Sequence, residues 1–85
     1  MEQKSENKNQ LQKEKIHFAI MAIGAASQKM GIPVTEMHQR LKRVNLIDKL
    51  ILGCYDVLHT QSLKHVAEDV VEALQNWEKK LLYQN

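Results

Sequence analysis

From residue 12 onward, apolar side chains recur at three- and four-residue intervals, and no stretch alternates apolar with polar as a half-buried strand does. This pattern predicts an all-α fold, a small bundle of four helices with a polar N-terminal leader. The first helix is expected over residues 12–30, stopped by Gly31 with Pro33 just beyond. At about 100° per residue, Ile16, Ile20, Ile23, Ser27 and Met30 form one stripe of it, and Phe18, Met21, Ala22 and Ala25 lie on the opposite side. A helix apolar on both sides is either central in its own domain or buried against another subunit. Gly24, Ala25 and Ala26 would allow close backbone approach there. Phe18, Met21, Ala22 and Ala25 are therefore the expected interface of a homo-oligomer, with a dimer favoured.

The second helix is expected over residues 36–44, with the Thr35 hydroxyl capping its start and Val34, Met37, Leu41 and Val44 lining one face. Asn45 is expected to cap a third helix, with Asp48 three residues on as in a capping box. Leu46, Ile47, Leu50, Ile51, Cys54, Val57 and Leu58 share a broad apolar arc of this helix, with Tyr55 at the edge and Leu52 outside. The fourth helix carries the cleanest signal. Leu63, Val66, Ala67, Val70, Val71, Leu74, Trp77 and Leu81 share one arc, and Lys64, His65, Glu68, Asp69, Glu72, Gln75, Asn76 and Lys79 the other. Thr60 or Ser62 would cap its start. A buried Trp77 implies a cost of ~3–5 kcal/mol for Trp77→Ala.

Length narrows this further. Eighty-five residues hold one domain, expected over residues 16–82, behind a leader at residues 1–15 that is either disordered or an extension of helix one. A domain this small buries only ~60% of its unfolded surface, so it needs very good helix packing or a partner chain. Cys54 is the single cysteine, which rules out a disulfide within one chain and suits a cytoplasmic setting. No segment is long and apolar enough to cross a membrane. The net charge of +2 names no partner, but its distribution is uneven. Residues 16–49 carry five Lys or Arg against two Asp or Glu; residues 50–78 carry one against five. Such a two-signed chain can associate with itself or with a two-signed partner.

Catalytic and metal chemistry find little support. His17, His38, His59 and His65 include no i,i+4 pair, and no second cysteine is present to complete a zinc site. Cys54 sits on the apolar arc, where it is expected to behave as a small core hydrophobe rather than a nucleophile. There is no phosphate loop, paired-carboxylate motif or nucleophile elbow. The chain is therefore expected to be no enzyme, with no catalytic residue, metal or cofactor. A nucleic-acid-binding reading is the alternative, because a short link joins helices two and three. Yet Arg40, Lys42 and Arg43 spread around helix two, and Lys49 is offset by Asp48.

One segment differs from ordinary helix filler. Residues 55–62, Tyr-Asp-Val-Leu-His-Thr-Gln-Ser, place an aromatic ring, a carboxylate, an imidazole and an amide at a helix end and the loop after it. As a turn, it would let His59 support the carbonyl end of helix three while Tyr55 packs under the loop and Thr60 or Ser62 starts helix four. As a recognition site, it would use free backbone groups at the two helix ends.

Together with the acidic helix that follows (Val66-Ala67-Glu68-Asp69-Val70-Val71), the run Phe18-Ala19-Ile20-Met21-Ala22-Ile23 and the junction Asn45-Leu46-Ile47-Asp48, this segment resembles the bacterial family known as domain of unknown function 3791. The likeness spans roughly residues 16–78, and Leu58-His59-Thr60-Gln61 is its specific part. The resemblance implies no known activity, but such proteins are often encoded beside a family resembling ADP-ribosyltransferases, which suits an accessory or antitoxin-like role; the chain is accordingly expected to be a non-enzymatic protein-interaction module. The binding residues it implies are Tyr55, Asp56, His59, Thr60 and Gln61.

Overall fold

A computed structural model of the chain describes the backbone of residues 2–84 and the side-chain surroundings of residues 10–82. Every regular element among them is helical: α1 (Glu2–Met30), α2 (Val34–Arg43), a π-helical segment (Ile47–Leu52), α3 (Tyr55–Leu58) and α4 (Leu63–Gln84). The fold is thus all-α, but it is three long helices with a broken short one between them, not four even helices. Residues 2–15 are continuous with α1.

Helix α1 is the spine. Its most extensive packing is against α4, and α2 and the π segment also lie on it. Its buried side is lined by Ala19, Ala22, Ile23, Ala26 and Ser27. Three alanines leave α1 thin on that side, so the valines of α4 can approach closely. Val66, Ala67, Val70, Val71 and Leu74 of α4 join Met37, Leu41 and Val44 of α2, and Leu46, Ile51 and Leu58 of the middle segment, in burial. The Ser27 hydroxyl is satisfied within the helix, donating to the Gly24 carbonyl at 2.7 Å.

This placement corrects the expected faces of α1. The buried side falls between the two sequence stripes, centred on Ala19, Ala22 and Ala26 and taking in only Ile23 of the three isoleucines. Ile16 and Ile20 are 54% and 63% exposed. Of the four residues expected at an intersubunit surface, Ala22 is wholly inside the chain's own core and Phe18 packs against it. Ala25 is half-buried, and Met21 is exposed.

α1 ends as expected at Gly31, whose φ of 69° is the left-handed conformation that glycine adopts without a Cβ penalty. The Ile32 amide donates to the Ser27 carbonyl and the Gly31 amide to that of Gln28, the paired bonds of a Schellman stop. Pro33, extended at ψ 149°, then occupies the N-cap of α2 with no side-chain cap bond, so Thr35 lies inside the first turn and not at its cap. Met37 and Leu41 are buried as the pattern requires, while Val34 stays outside. Asn45 also departs from expectation. With φ 60° it takes the left-handed position that ends α2, a conformation asparagine tolerates better than most residues. Its carbonyl accepts the Lys49 amide at 3.1 Å.

The expected third helix is where period reasoning fails most clearly. Closing hydrogen bonds over five residues, as a π segment does, in effect inserts one residue into the helical count. Everything downstream is rotated by about 100°. Cys54 and Val57, expected in the core, are exposed; Tyr55, expected at the edge, is buried, Leu52, expected outside, packs against the core, and Leu58 is buried as expected.

Ser62 starts α4, accepting the His65 amide on its hydroxyl at 3.3 Å and the Val66 amide on its carbonyl at 3.0 Å. The buried arc of α4 matches expectation from Val66 to Leu74 and then fails. Trp77 and Leu81 are each 39% exposed. The Trp77 ring lies instead among cations, with Lys80 Nζ 4.6 Å and Lys49 Nζ 5.4 Å from its centroid. What holds α4 beside α2 there is an ion pair 38 residues apart in sequence: Arg40 Nε donates to Glu78 Oε2 at 2.9 Å and Nη2 to Oε1 at 2.6 Å. Glu36 adds a looser contact to Arg40 at 3.9 Å.

Leu74→Ala is accordingly expected to cost ~2–5 kcal/mol in a chemical or thermal melt, as a fully enclosed leucine should. Trp77→Ala should cost only ~1 kcal/mol, well below the fully buried value, because the ring gives up half-exposed area and cation contacts.

The ion pair carries a pH signature. The two hydrogen bonds from Arg40 hold the Glu78 carboxyl below its ordinary pKa, partial burial opposes them, and the charges of Arg40 and Arg43 assist. Folded Glu78 therefore binds a proton more weakly than the unfolded chain does. Its stabilisation is complete above the ordinary carboxylate range and is lost as pH falls through the lowered folded value. Since both side chains are about one-quarter exposed (26% and 25%), the pair should be worth about 1 kcal/mol. Arg40→Gln should lower stability by about that amount near pH 7 and converge on wild type in acid, measured by denaturant melts across the range.

Candidate functional site

The π segment aims the junction. Gly53 follows it directly, and a Cβ at that position would lie 2.6 Å from the Lys49 carbonyl oxygen and 2.8 Å from that of Asp48. Only glycine lets the chain pass so close to the carbonyls of the widened turn. The Cys54 amide then resumes ordinary pairing with the Leu50 carbonyl at 2.9 Å, and α3 begins. A glycine in the middle of a helical apolar pattern is the sequence signal that could have located this break.

The rotation sends the Tyr55 ring inward. It is 8% exposed and meets Phe18 of α1 edge-on, with centroids 5.5 Å apart and planes at 80°. Lys15 Nζ stands 5.8 Å from its centroid. On the other side, the His59 imidazole stacks on the Tyr55 ring at 4.4 Å, with planes only 7° apart. His59 Nδ1 lies 2.6 Å from the Tyr55 carbonyl oxygen. A carbonyl only accepts, so Nδ1 carries the proton. In the neutral ring Nε2 is then the acceptor, and His59 is exposed.

The Thr60 hydroxyl donates to the Val57 carbonyl at 2.8 Å, and the Gln61 amide to that of Leu58 at 3.0 Å. The Val57 and Leu58 carbonyls at the end of α3 are thus met by a hydroxyl and a backbone amide, while the Tyr55 carbonyl accepts both the His59 amide at 2.9 Å and the His59 imidazole. Asp56 and the Gln61 side chain face solvent. The motif residues Tyr55, Asp56, His59, Thr60 and Gln61 therefore lie together as a capped turn. Tyr55 and Thr60 are engaged in holding it; the outward polar groups are the Asp56 carboxylate, the Gln61 amide and the His59 edge. Phe18 and Lys15, which complete the aromatic stack, were not part of the sequence-derived site because they sit about forty residues away in the chain.

Among the described residues, no group of three or more His, Cys, Asp or Glu side chains is placed to hold a metal ion, and no helix is long and apolar enough to cross a membrane. Cys54 faces solvent, with Sγ 3.9 Å from the Lys49 carbonyl oxygen.

A second feature lies at the other end of α1. Three shallow grooves adjoin there: one between Ile20, Ile23 and the start of α2, one over Met21, Gly24 and Ala25 reaching Val34 and Leu63, and one between Ala25, Lys29 and the first turn of α4.

A family model described as "Protein of unknown function (DUF3791)" matches residues 17–77, which takes in the junction, both grooved flanks of α1 and most of α4. The chain belongs to the DUF3791 family. The family assignment agrees with the resemblance carried by residues 58–61 and spans every element that builds the junction. No curated protein and no solved structure matches the chain.

If Gly53 is what permits the widened turn, Gly53→Ala should cost at least ~2 kcal/mol, an unusually large effect for one methyl group on an exposed residue. The His59 ring protons should also lose the upfield NMR shift that stacking on Tyr55 produces. An unchanged melt and unchanged His59 shifts would show that the backbone accommodates the methyl without leaving this geometry.

Proposed function

We propose that this DUF3791 chain works by binding another protein rather than by catalysis, in the accessory or antitoxin-like manner the family resemblance implies, with an adjacently encoded ADP-ribosyltransferase-like protein as the partner. The observation that carries this reading is the apolar surface left outside a small domain. Ile16, Ile20, Met21, Val34 and Leu63 are each at least 39% exposed, and they come from three different helices. Contiguous apolar surface of this kind, on a domain that is short of core, is what a binding face supplies and what a free-standing monomer has reason to avoid. The outward polar groups of the junction, Asp56, His59 and Gln61, offer hydrogen-bonding contacts to the same or a second partner.

The nucleic-acid alternative loses weight because Arg40, one of the three cations on α2, is bound to Glu78. A second copy of the chain remains the competing occupant of the apolar face, and light scattering on the wild-type chain distinguishes it.

The direct test is titration of the adjacently encoded protein with this chain. Calorimetry should detect binding, and the partner's transferase activity should change with a midpoint that tracks the binding curve. A partner that neither binds nor changes activity removes the accessory role.

A further inference from the structure

We propose that the saddle formed by α1, the start of α2 and the start of α4 is the seat of an acidic amphipathic helix from a partner protein. This deepens the interaction reading above and rests on it.

The shape comes first. The three grooves have volumes of about 330, 440 and 330 Å³ and share lining residues, so they form one continuous depression rather than three separate pockets. Exposed Ile20, Met21, Val34 and Leu63 form its walls. Its floor is low at Gly24, where a side chain would meet nothing within 4 Å. An extended peptide is a poor occupant, because no strand edge exists among the described residues to pair its amides and carbonyls. A helix satisfies its own backbone and presents apolar side chains at i, i+3, i+4 and i+7 to such a depression.

Charge then selects the sign of the helix. No carboxylate lines any of the three grooves; the charged lining residues are Lys29 and Lys64, both exposed. Neither has a carboxylate within ion-pair distance among the described residues. A symmetric dimer through this saddle would turn the same positive rim on its own copy, because a two-fold contact matches one patch with itself. A helix with carboxylates flanking its apolar ridge meets the rim with opposite charge and gains both on-rate and selectivity from it.

The test uses the full chain and two labelled peptides of about eighteen residues, each with leucines at i, i+3, i+4 and i+7. One carries Glu at the flanking positions and the other Lys. By fluorescence anisotropy at low salt, the Glu peptide should bind at least ~10-fold more tightly than the Lys peptide, and Lys29→Glu combined with Lys64→Glu should erase or invert that preference. Gly24→Gln should weaken binding of the Glu peptide at least ~10-fold while leaving the thermal midpoint equal or higher, since the site is open and glycine is a poor helix former. The retained midpoint separates loss of docking from loss of fold. Equal affinity for the two peptides, binding of neither, or binding unchanged by Gly24→Gln overturns the proposal. So does a wild-type dimer that Gly24→Gln dissociates, which would give the saddle to a second copy. A native partner that binds wild type and Gly24→Gln alike would overturn the saddle assignment while leaving the interaction function standing.

Discussion

The rotation imposed by the π segment is the constraint on which the rest of the molecule depends. Residues 46–58 must cross from the end of α2 to the start of α4 while burying two sets of side chains against α1. A regular α-helix would present Cys54 and Val57 inward and leave Tyr55 at the margin. By closing hydrogen bonds over five residues between Ile47 and Leu52, the chain turns the second set by about one residue's worth of arc. Tyr55 then enters the core beside Leu58. The aromatic stack, the Nδ1 bond of His59 and the position from which α4 departs all follow from that rotation. Gly53 is its structural condition, since any side chain there would collide with the carbonyls that the wider turn pushes outward.

The same economy shapes the core. A chain of 85 residues cannot surround α1 completely, so the buried side of α1 is built from three alanines, one serine and one isoleucine, which brings α4 close and concentrates the contact. The larger residues of α1 sit on its flanks. Phe18 is used by the Tyr55 stack, whereas Ile16, Ile20 and Met21 stay exposed among the described residues. Tight packing on one side and unspent apolar area on the other are thus two results of one geometric choice. Exposed leucines and isoleucines are ordinary singly; gathered around one saddle at the meeting of three helices, they are a surface.

How much of this was legible in the sequence follows from which physical rules are local. The stop of α1 at Gly31, the cap of α4 at Ser62 and the buried arc from Val66 to Leu74 depend on neighbours within a few residues, and they read correctly. The junction read correctly as a composition of capping groups, with His59 serving the carbonyl end of α3, but Thr60, offered as a start for α4, donates back to the Val57 carbonyl instead. The break at residues 47–54 did not, because an amphipathic wheel assumes a constant 100° step and a π turn violates that assumption; Cys54 and Val57 were misplaced for this single reason. Thr35 and Asn45 carried the right chemistry for N-caps, but Pro33 and a left-handed φ took those roles. Trp77 fell on the right face of a helix that outruns its partners, and periodicity is silent on where packing ends. The pairing of Arg40 with Glu78 and of Phe18 with Tyr55 is tertiary and had no local signature.

The three glycines carry the argument one step further. Gly31 is explained by a positive φ and Gly53 by a close approach, both within the chain. Gly24 has neither. It lies inside α1 with ordinary helical geometry, and the space its missing side chain would occupy is open. Glycine in a helix interior costs ~1 kcal/mol relative to alanine, a real loss for a domain with so little core. Among the described residues, nothing lies within 4 Å of where a Cβ would stand to offset that loss. The open space above Gly24 faces the saddle walled by Met21, Val34 and Leu63, which is where the proposed partner helix would supply a compensating contact.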